Sequence, residues 1–232
     1  SLGDTYQFML DDIAAALNYN EKAGQPDLQF FYLNRAAIYA LKARVCLYMG
    51  KYDDAEAAAK QAINLKGKGS ADYADLNPSD DVYLSMWASL SPSDEDIFTL
   101  SKTVDDNLSA NALNTLWGSY YGKVSAYGQS FFSSTDVRVK LIGEVDGNTP
   151  ASKKWQGIES SQATSNIPVF RKSEMALIIA ECEARAGNVS EAQKYLGYTA
   201  KRDSQYAAAD GTCDLSKLPS DKDQLLDFIW KE

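Results

Sequence analysis

Between Phe31 and Leu65 the apolar positions recur at helical spacing, stop, and start again. The first run places Ala37, Ala40, Leu41, Arg44, Val45 and Tyr48 along one side, a face that is mostly small or apolar. Met49-Gly50-Lys51-Tyr52 interrupts it. Gly50 suits a left-handed cap, because glycine takes positive φ without a steric penalty. Asp53 then reads as the N-cap of a second helix, with Glu56 at capping-box spacing. Ala55, Ala58, Ala59, Ala62 and Ile63 give that helix an alanine-rich face, and small side chains let two helix axes approach closely. The pattern predicts an antiparallel pair, residues 33–49 with 53–65, turning at Gly50.

The same pattern returns near the other end. Ala180, Gly187 and Ala192 repeat Ala43, Gly50 and Ala55 at one common offset, which predicts a second pair, residues 173–186 with 189–202, turning at Gly187. Each unit has the small residue, turn glycine and alanine of a tetratricopeptide helix pair. Glu183 and Thr199 stand where that consensus has an aromatic and an alanine. Two units so far apart do not form a solenoid, in which each repeat stacks on the next. They read as hairpins embedded in a larger fold.

Elsewhere, Tyr6, Met9, Leu10, Ile13, Ala14 and Leu17 line one face of a first helix, residues 4–18, with Asp4 as its N-cap. Between the hairpins, residues 66–167 are rich in Ser, Asn, Asp, Gly and aromatics. Asn77-Pro78-Ser79-Asp80 reads as a turn into a short helix over Val82 to Leu90, and Ile97 to Leu100 as a strand. Asn111 to Tyr121 reads as a short helix or turn. Val137 to Ile142 fits helix or strand, and Gly143 to Gly157 reads as loop. Residues 207–219 are loop. Asp221 caps a last helix, with Gln224 at capping-box spacing and Leu225, Leu226, Ile229 and Trp230 as its buried face. That face runs to the final residue, so part of Ile229 and Trp230 is expected to be uncovered and the chain is read as a piece of a longer protein. The fold class is mainly α: one domain of helical hairpins, residues 1–65 and 168–232, around a loop-rich insertion, residues 66–167, with few short strands. Long irregular stretches in a compact fold are usually functional, so the insertion is the candidate ligand-binding part.

Charge and composition narrow the chemistry. The 232 residues carry a formal net charge of −9, which disfavours nucleic acid, whose phosphates need a basic face. No apolar run approaches the roughly 18 residues of a membrane span. The three cysteines fit no zinc pattern. Cys46 and Cys182 read as small core hydrophobes and Cys213 as a loop thiol. The chain contains no histidine, which removes the Ser-His-Asp and Cys-His nucleophile schemes and most catalytic zinc sites. No cofactor or metal is expected.

Carboxylates offer little more. Glu174, Glu181 and Glu183 share one helix, and a glycosidase pair needs a defined separation across a cleft. Asp94-Glu95-Asp96 and Asp105-Asp106 match no EF-hand spacing and read as solvated surface. Arg44, Arg171 and Glu174 lie on otherwise apolar or small faces, which predicts a structural ion pair such as Arg171 with Glu174. The aromatics are more informative, with tyrosine reaching 14 residues. Tyr39, Tyr48 and Tyr52 sit at core spacing. Trp87, Trp117, Tyr120, Tyr121, Tyr127 and Trp155 instead sit among polar loop residues. Loop aromatics can be buried caps on the fold. They can also receive the C–H face of a pyranose while neighbouring amides bond its hydroxyls. The candidate ligand-binding residues are therefore Trp117, Tyr120, Tyr121, Trp87, Trp155, Asn111 and Asn114, with Asn107 and Gln129 close by. A platform through Trp117, Tyr120 and Tyr121 would leave a ring face open, whereas a plug would bury all three.

Four segments in order carry a family resemblance. Arg35 to Val45 followed by Leu47-Tyr48-Met49-Gly50, and Pro168 to Met175 followed by Ile178-Ile179-Ala180-Glu181, resemble the SusD/RagB family of Bacteroidetes outer-membrane lipoproteins. Asp136-Val137-Arg138 after Phe131-Phe132 is similar to the family's Asp-x-Arg segment, and Phe228 to Glu232 to the start of its Ile-x-x-Glu-Arg helix. The resemblance implies a non-catalytic, surface-exposed outer-membrane lipoprotein that captures glycans for import through a SusC-type TonB-dependent transporter. Its only membrane attachment would be a lipid anchor that these residues do not include. Its aromatic platforms lie in variable loops, and the family includes a peptide-binding variant. A tetratricopeptide-type interaction scaffold and a glycoside hydrolase are the rival readings of the residues.

Overall fold

The computed structural model describes residues 1–24, 29–65, 80–103, 105, 113–157 and 164–232. Its helices are α1 (Leu2–Ala23), α2 (Arg35–Tyr48), α3 (Tyr52–Asn64), α4 (Asp80–Ser85), α5 (Leu113–Trp117), α6 (Ala126–Gln129), α7 (Lys172–Ala186), α8 (Val189–Ala200) and α9 (Lys222–Lys231). Its strands are β1 (Asp96–Leu100), β2 (Ile142–Val145), β3 (Asn148–Ser152) and β4 (Ile167–Arg171). The mainly α expectation holds.

Both helix pairs form where the spacing places them, and their turns are built alike. Gly50 has φ 71° and Gly187 φ 87°. The Lys51 amide donates to the Cys46 carbonyl at 2.9 Å, and the Asn188 amide to the Glu183 carbonyl at 2.8 Å. This is the six-to-one bond of a Schellman motif, which satisfies a carbonyl that the helix end leaves open. The caps that follow differ from expectation. Lys51, not Asp53, is the N-cap of α3 and gives no side-chain cap bond, because the Schellman turn already directs the chain into the helix. Likewise Ser1, not Asp4, caps α1, with Asp4 closing its capping box. Asp221 does cap α9, accepting from the amides of Asp223 and Gln224.

The main core lies between the hairpins. Ala36, Ala37, Ala40 and Ala43 of α2 and Ala55, Ala58, Ala59 and Ala62 of α3 are buried with Met175, Ile178, Ile179 and Cys182 of α7. Alanine faces draw α2 and α3 together and let the larger α7 side chains fill the outer side. Cys46 and Cys182 are buried free thiols, and burial pushes the Cys182 thiol up to about 12. A second core joins α7, α8 and α9 through Leu196, Leu225, Leu226 and Ile229. Ile229 is 4 % exposed, contrary to the expectation, while Trp230 is 63 % exposed. A register difference of one residue at the end of α9 turns the indole outward.

Of two small antiparallel sheets, one ties the intervening stretch to the second hairpin and the other lies within that stretch. β1 pairs with β4, Leu100 opposite Ile167 and Asp96 opposite Arg171, with bulges between. β2 and β3 form a hairpin within 142–152, where sequence patterning suggested only loop. Its turn is Asp146-Gly147, at φ 50° and 77°, the positive-φ pair that a two-residue hairpin needs. Residues 137–141 are a 3-10 turn.

Long-range ion pairs complete the attachment. Glu174 is held by Arg44, at 2.6 and 2.8 Å, rather than by Arg171. Arg171 donates instead to Glu95 at 2.7 Å. Glu95 and Asp96, read as solvated, are 2 % and 3 % exposed. The sequence gives no sign of this, because the cations that make the burial of Glu95 tolerable come from β4 and the end of α8.

Candidate functional site

One set of exposed aromatics lies between α5 and the residues just past α6. Tyr120 is 65 %, Tyr121 71 %, Tyr127 73 % and Phe131 39 % exposed. Trp117 is partly buried. The chain is folded tightly here. The Tyr120 amide donates to the Thr115 carbonyl at 3.0 Å and the Gly122 amide to the Leu116 carbonyl at 2.7 Å. A Cβ on Gly122 would lie 2.8 Å from that same carbonyl oxygen, so the turn admits no larger residue without moving the backbone. Tyr121 holds φ 54°, a conformation rare for an aromatic residue and one that clusters at functional sites.

The turn is fixed from below by Asn148 of β3. Its side-chain amide donates to the carbonyls of Trp117 at 2.6 Å and Gly122 at 2.8 Å, and the Asn148 side chain is itself buried. The Val124 amide adds a bond to the Pro150 carbonyl at 3.0 Å. The β2–β3 hairpin is therefore the support on which the tyrosines stand. In α6, Ser125 caps the helix by accepting from the Gly128 amide. Tyr127 and Phe131 then meet edge to face with ring centroids 4.7 Å apart. Phe131 was not singled out from the sequence as a ligand contact; its spacing of four from Tyr127 is the signal that marks the pair. Gln129 spends its amide N–H on the Val124 carbonyl.

The remaining predicted residues lie elsewhere. Trp87 is buried and packs edge to face on Trp155, with centroids 5.4 Å apart, in a small core with Tyr83, Val137 and Leu141. Asn107 and Asn111 lie outside the described residues, and the backbone places Asn114 in α5. The predicted set thus divides into an outward group, Tyr120 and Tyr121 with Trp117 at its edge, and an inward group, Trp87 with Trp155.

What holds this region to the hairpins is charged. Arg138 is buried between Asp136 and Glu232, with its guanidinium 2.9 Å from the Glu232 carboxylate. Burial works against its charge, but the two carboxylates raise its pKa above the ordinary arginine value. Ser133 and Thr135 each donate to Asp203 at 2.6 Å. Burial works against the Asp203 carboxylate, and these hydroxyls together with the bonds from Gln205 more than offset it, lowering its pKa from the ordinary aspartate value.

A sequence model of the SusD family matches residues 114–202, which include Trp117, Tyr120, Tyr121 and Trp155 but not Trp87. The structure resembles a SusD superfamily protein from Bacteroides thetaiotaomicron VPI-5482, with 24 % identity and TM-score 0.72 over 97 % of this chain and 51 % of that one. It also resembles a SusD superfamily protein from Bacteroides vulgatus ATCC 8482, with 23 % identity and TM-score 0.75 over 99 % and 52 %. Surface glycan-binding protein A from Bacteroides uniformis is a further match, with 17 % identity and TM-score 0.60 over 100 % and 56 %. The chain spans about half the length of these solved structures. No curated protein matches it. The SusD-like reading of the sequence is borne out by the family match and the shared fold.

Proposed function

We propose that this chain binds glycan without turnover, on a surface ledge formed by Tyr120, Tyr121 and Tyr127 and flanked by Trp117 and Phe131. The observation that carries the reading is the exposure of three phenol rings, Tyr120 and Tyr121 on a turn that Asn148 bonds at both ends and Tyr127 on the Ser125-capped α6. Exposed, pre-ordered rings receive a pyranose face with little loss of side-chain entropy on binding. Each ring carries a phenolic hydroxyl. A surface glycan-binding protein among the structural matches supports the ligand class.

In the wider role we infer, the protein is an outer-membrane surface lipoprotein that passes glycan to a SusC-type TonB-dependent transporter. Phe8, Tyr19, Tyr32 and Tyr48, all more than 60 % exposed around α1 and α2, support contact with a protein partner on that side. Affinity electrophoresis of the chain through a panel of neutral polysaccharides, with product analysis by chromatography, tests the reading. Retardation by at least one polysaccharide with no new reducing ends is the expected result. Retardation by none, or release of shorter sugars, contradicts it.

A further inference from the structure

A second cluster of polar groups lies beneath the insertion, where Trp87 and Trp155 meet the ends of β4 and α8. Several buried donors here lack partners, and the neighbouring Asp96 also keeps one unpaired buried oxygen, Oδ1. The indole N–H groups of Trp87 and Trp155 and the Nε of Arg202 are buried without a hydrogen-bond partner. The Lys154 ammonium stands 4.3 Å from the centroid of the Trp87 ring, and the Arg171 guanidinium 5.2 Å from the same centroid. Arg202 lies over Tyr83 at 4.7 Å, and Tyr83 packs on Trp87. Glu95 is the carboxylate in reach, and its oxygens are taken: Arg171 and Ser173 hold one and Arg202 the other. Among the described residues no carboxylate pairs with Lys154.

We propose that this junction is a binding site for a small carboxylate, held by the Lys154 ammonium and the indole N–H groups of Trp87 and Trp155. Unpaired buried donors are costly, on the order of 1–3 kcal/mol each, and one acceptor anion would serve several of them. Electrostatics agree. Burial pushes the Lys154 amine down to about 8, and Arg171, Arg202 and Arg138 push the same way against the single opposing charge of Glu95. Burial disfavours a charge of either sign, but the field of the three arginines favours an anion. Lys154 as a residue is only half-buried. The overall charge of −9 opposes polyanions, which restricts the ligand to a single carboxylate, either a free small acid or the acid group of a uronic sugar. The site is separate from the tyrosine ledge and does not depend on it.

The test follows the indole N–H signals of the whole chain by nitrogen–proton correlation spectroscopy. Acetate, glucuronate and neutral glucose are titrated at fixed ionic strength and at a pH below the Lys154 midpoint. The signals of Trp87 and Trp155 should move and saturate with carboxylate, while those of Trp117 and Trp230 stay. A response to acetate identifies a free-acid site, and a response to glucuronate alone identifies an acidic-sugar site. Affinity should fall about tenfold per pH unit once the amine deprotonates. Lys154→Gln should abolish the response and Lys154→Arg should keep it. No saturable shift with either carboxylate, an equal shift with glucose, or an unchanged titration in Lys154→Gln overturns the proposal. Should Lys154→Gln fail to fold, the ligand and pH dependence of the unmodified chain decide the matter.

Discussion

Tyr121 combines two features that rarely coincide, a positive φ of 54° and an exposed ring. The backbone conformation costs an L-residue roughly 1–2 kcal/mol, and the exposed ring regains little of that by packing. Tyr121→Gly should therefore leave the melting temperature unchanged or raise it, while weakening glycan binding by roughly 1–3 kcal/mol, as loss of one aromatic contact does. Thermal denaturation and binding measured on that one variant check both halves. Lys154 offers a second test at this scale. Its folded midpoint near 8 lies below the ordinary 10.5, so between these values the unfolded chain binds the proton that the folded chain has released. Stability then rises with pH from about 8 to 10.5, and below 8 the buried charge is a constant penalty. Lys154→Met should be more stable than the unmodified protein at neutral pH, and the difference should shrink as pH rises through that window, measured by urea denaturation. Individual residues of this kind were the least legible in the sequence. Glu95 looks like one of three solvated acids, and Arg171 looks like a partner for Glu174. The true partners come from distant segments, and local spacing does not encode them.

At the scale of elements, local period was a good guide wherever the contacts are local. The helix pairs and the turns at Gly50 and Gly187 follow from helical spacing and one glycine each. Gly50→Val should cost about 1 kcal/mol or more, because a β-branched residue is excluded from φ 71°, and chemical denaturation should show it. The β2–β3 hairpin was missed. Its strands are short and carry little alternation, so the region read as loop, although Val145-Asp146-Gly147-Asn148 holds a recognised turn pair. That hairpin is what makes the tyrosine ledge rigid, through Asn148. Asn148→Ala removes two bonds to partly buried carbonyls and should cost about 1 kcal/mol or more of stability. It should also weaken glycan binding without removing any ring, which Asn148→Ala protein assayed beside Tyr121→Gly would reveal.

Taken whole, the molecule is a pair of alanine-packed helical hairpins that hold an aromatic-bearing stretch by strand pairing and buried ion pairs. Its resemblance to solved SusD superfamily structures covers about half of their length. The order of segments was legible because each carries its own local pattern. The division of the aromatics was not, because Trp87 and Tyr120 have similar polar neighbours in sequence and differ only in what folds over them. The central claim is that the outward group binds glycan. It is tested most directly by retardation of Tyr120→Ala/Tyr127→Ala in the polysaccharide that best retards the unmodified chain, with melting temperatures recorded in parallel. The account predicts that retardation is lost while the melting temperature stays within a degree or two, about what surface substitutions allow. Full retardation by the double variant would contradict it.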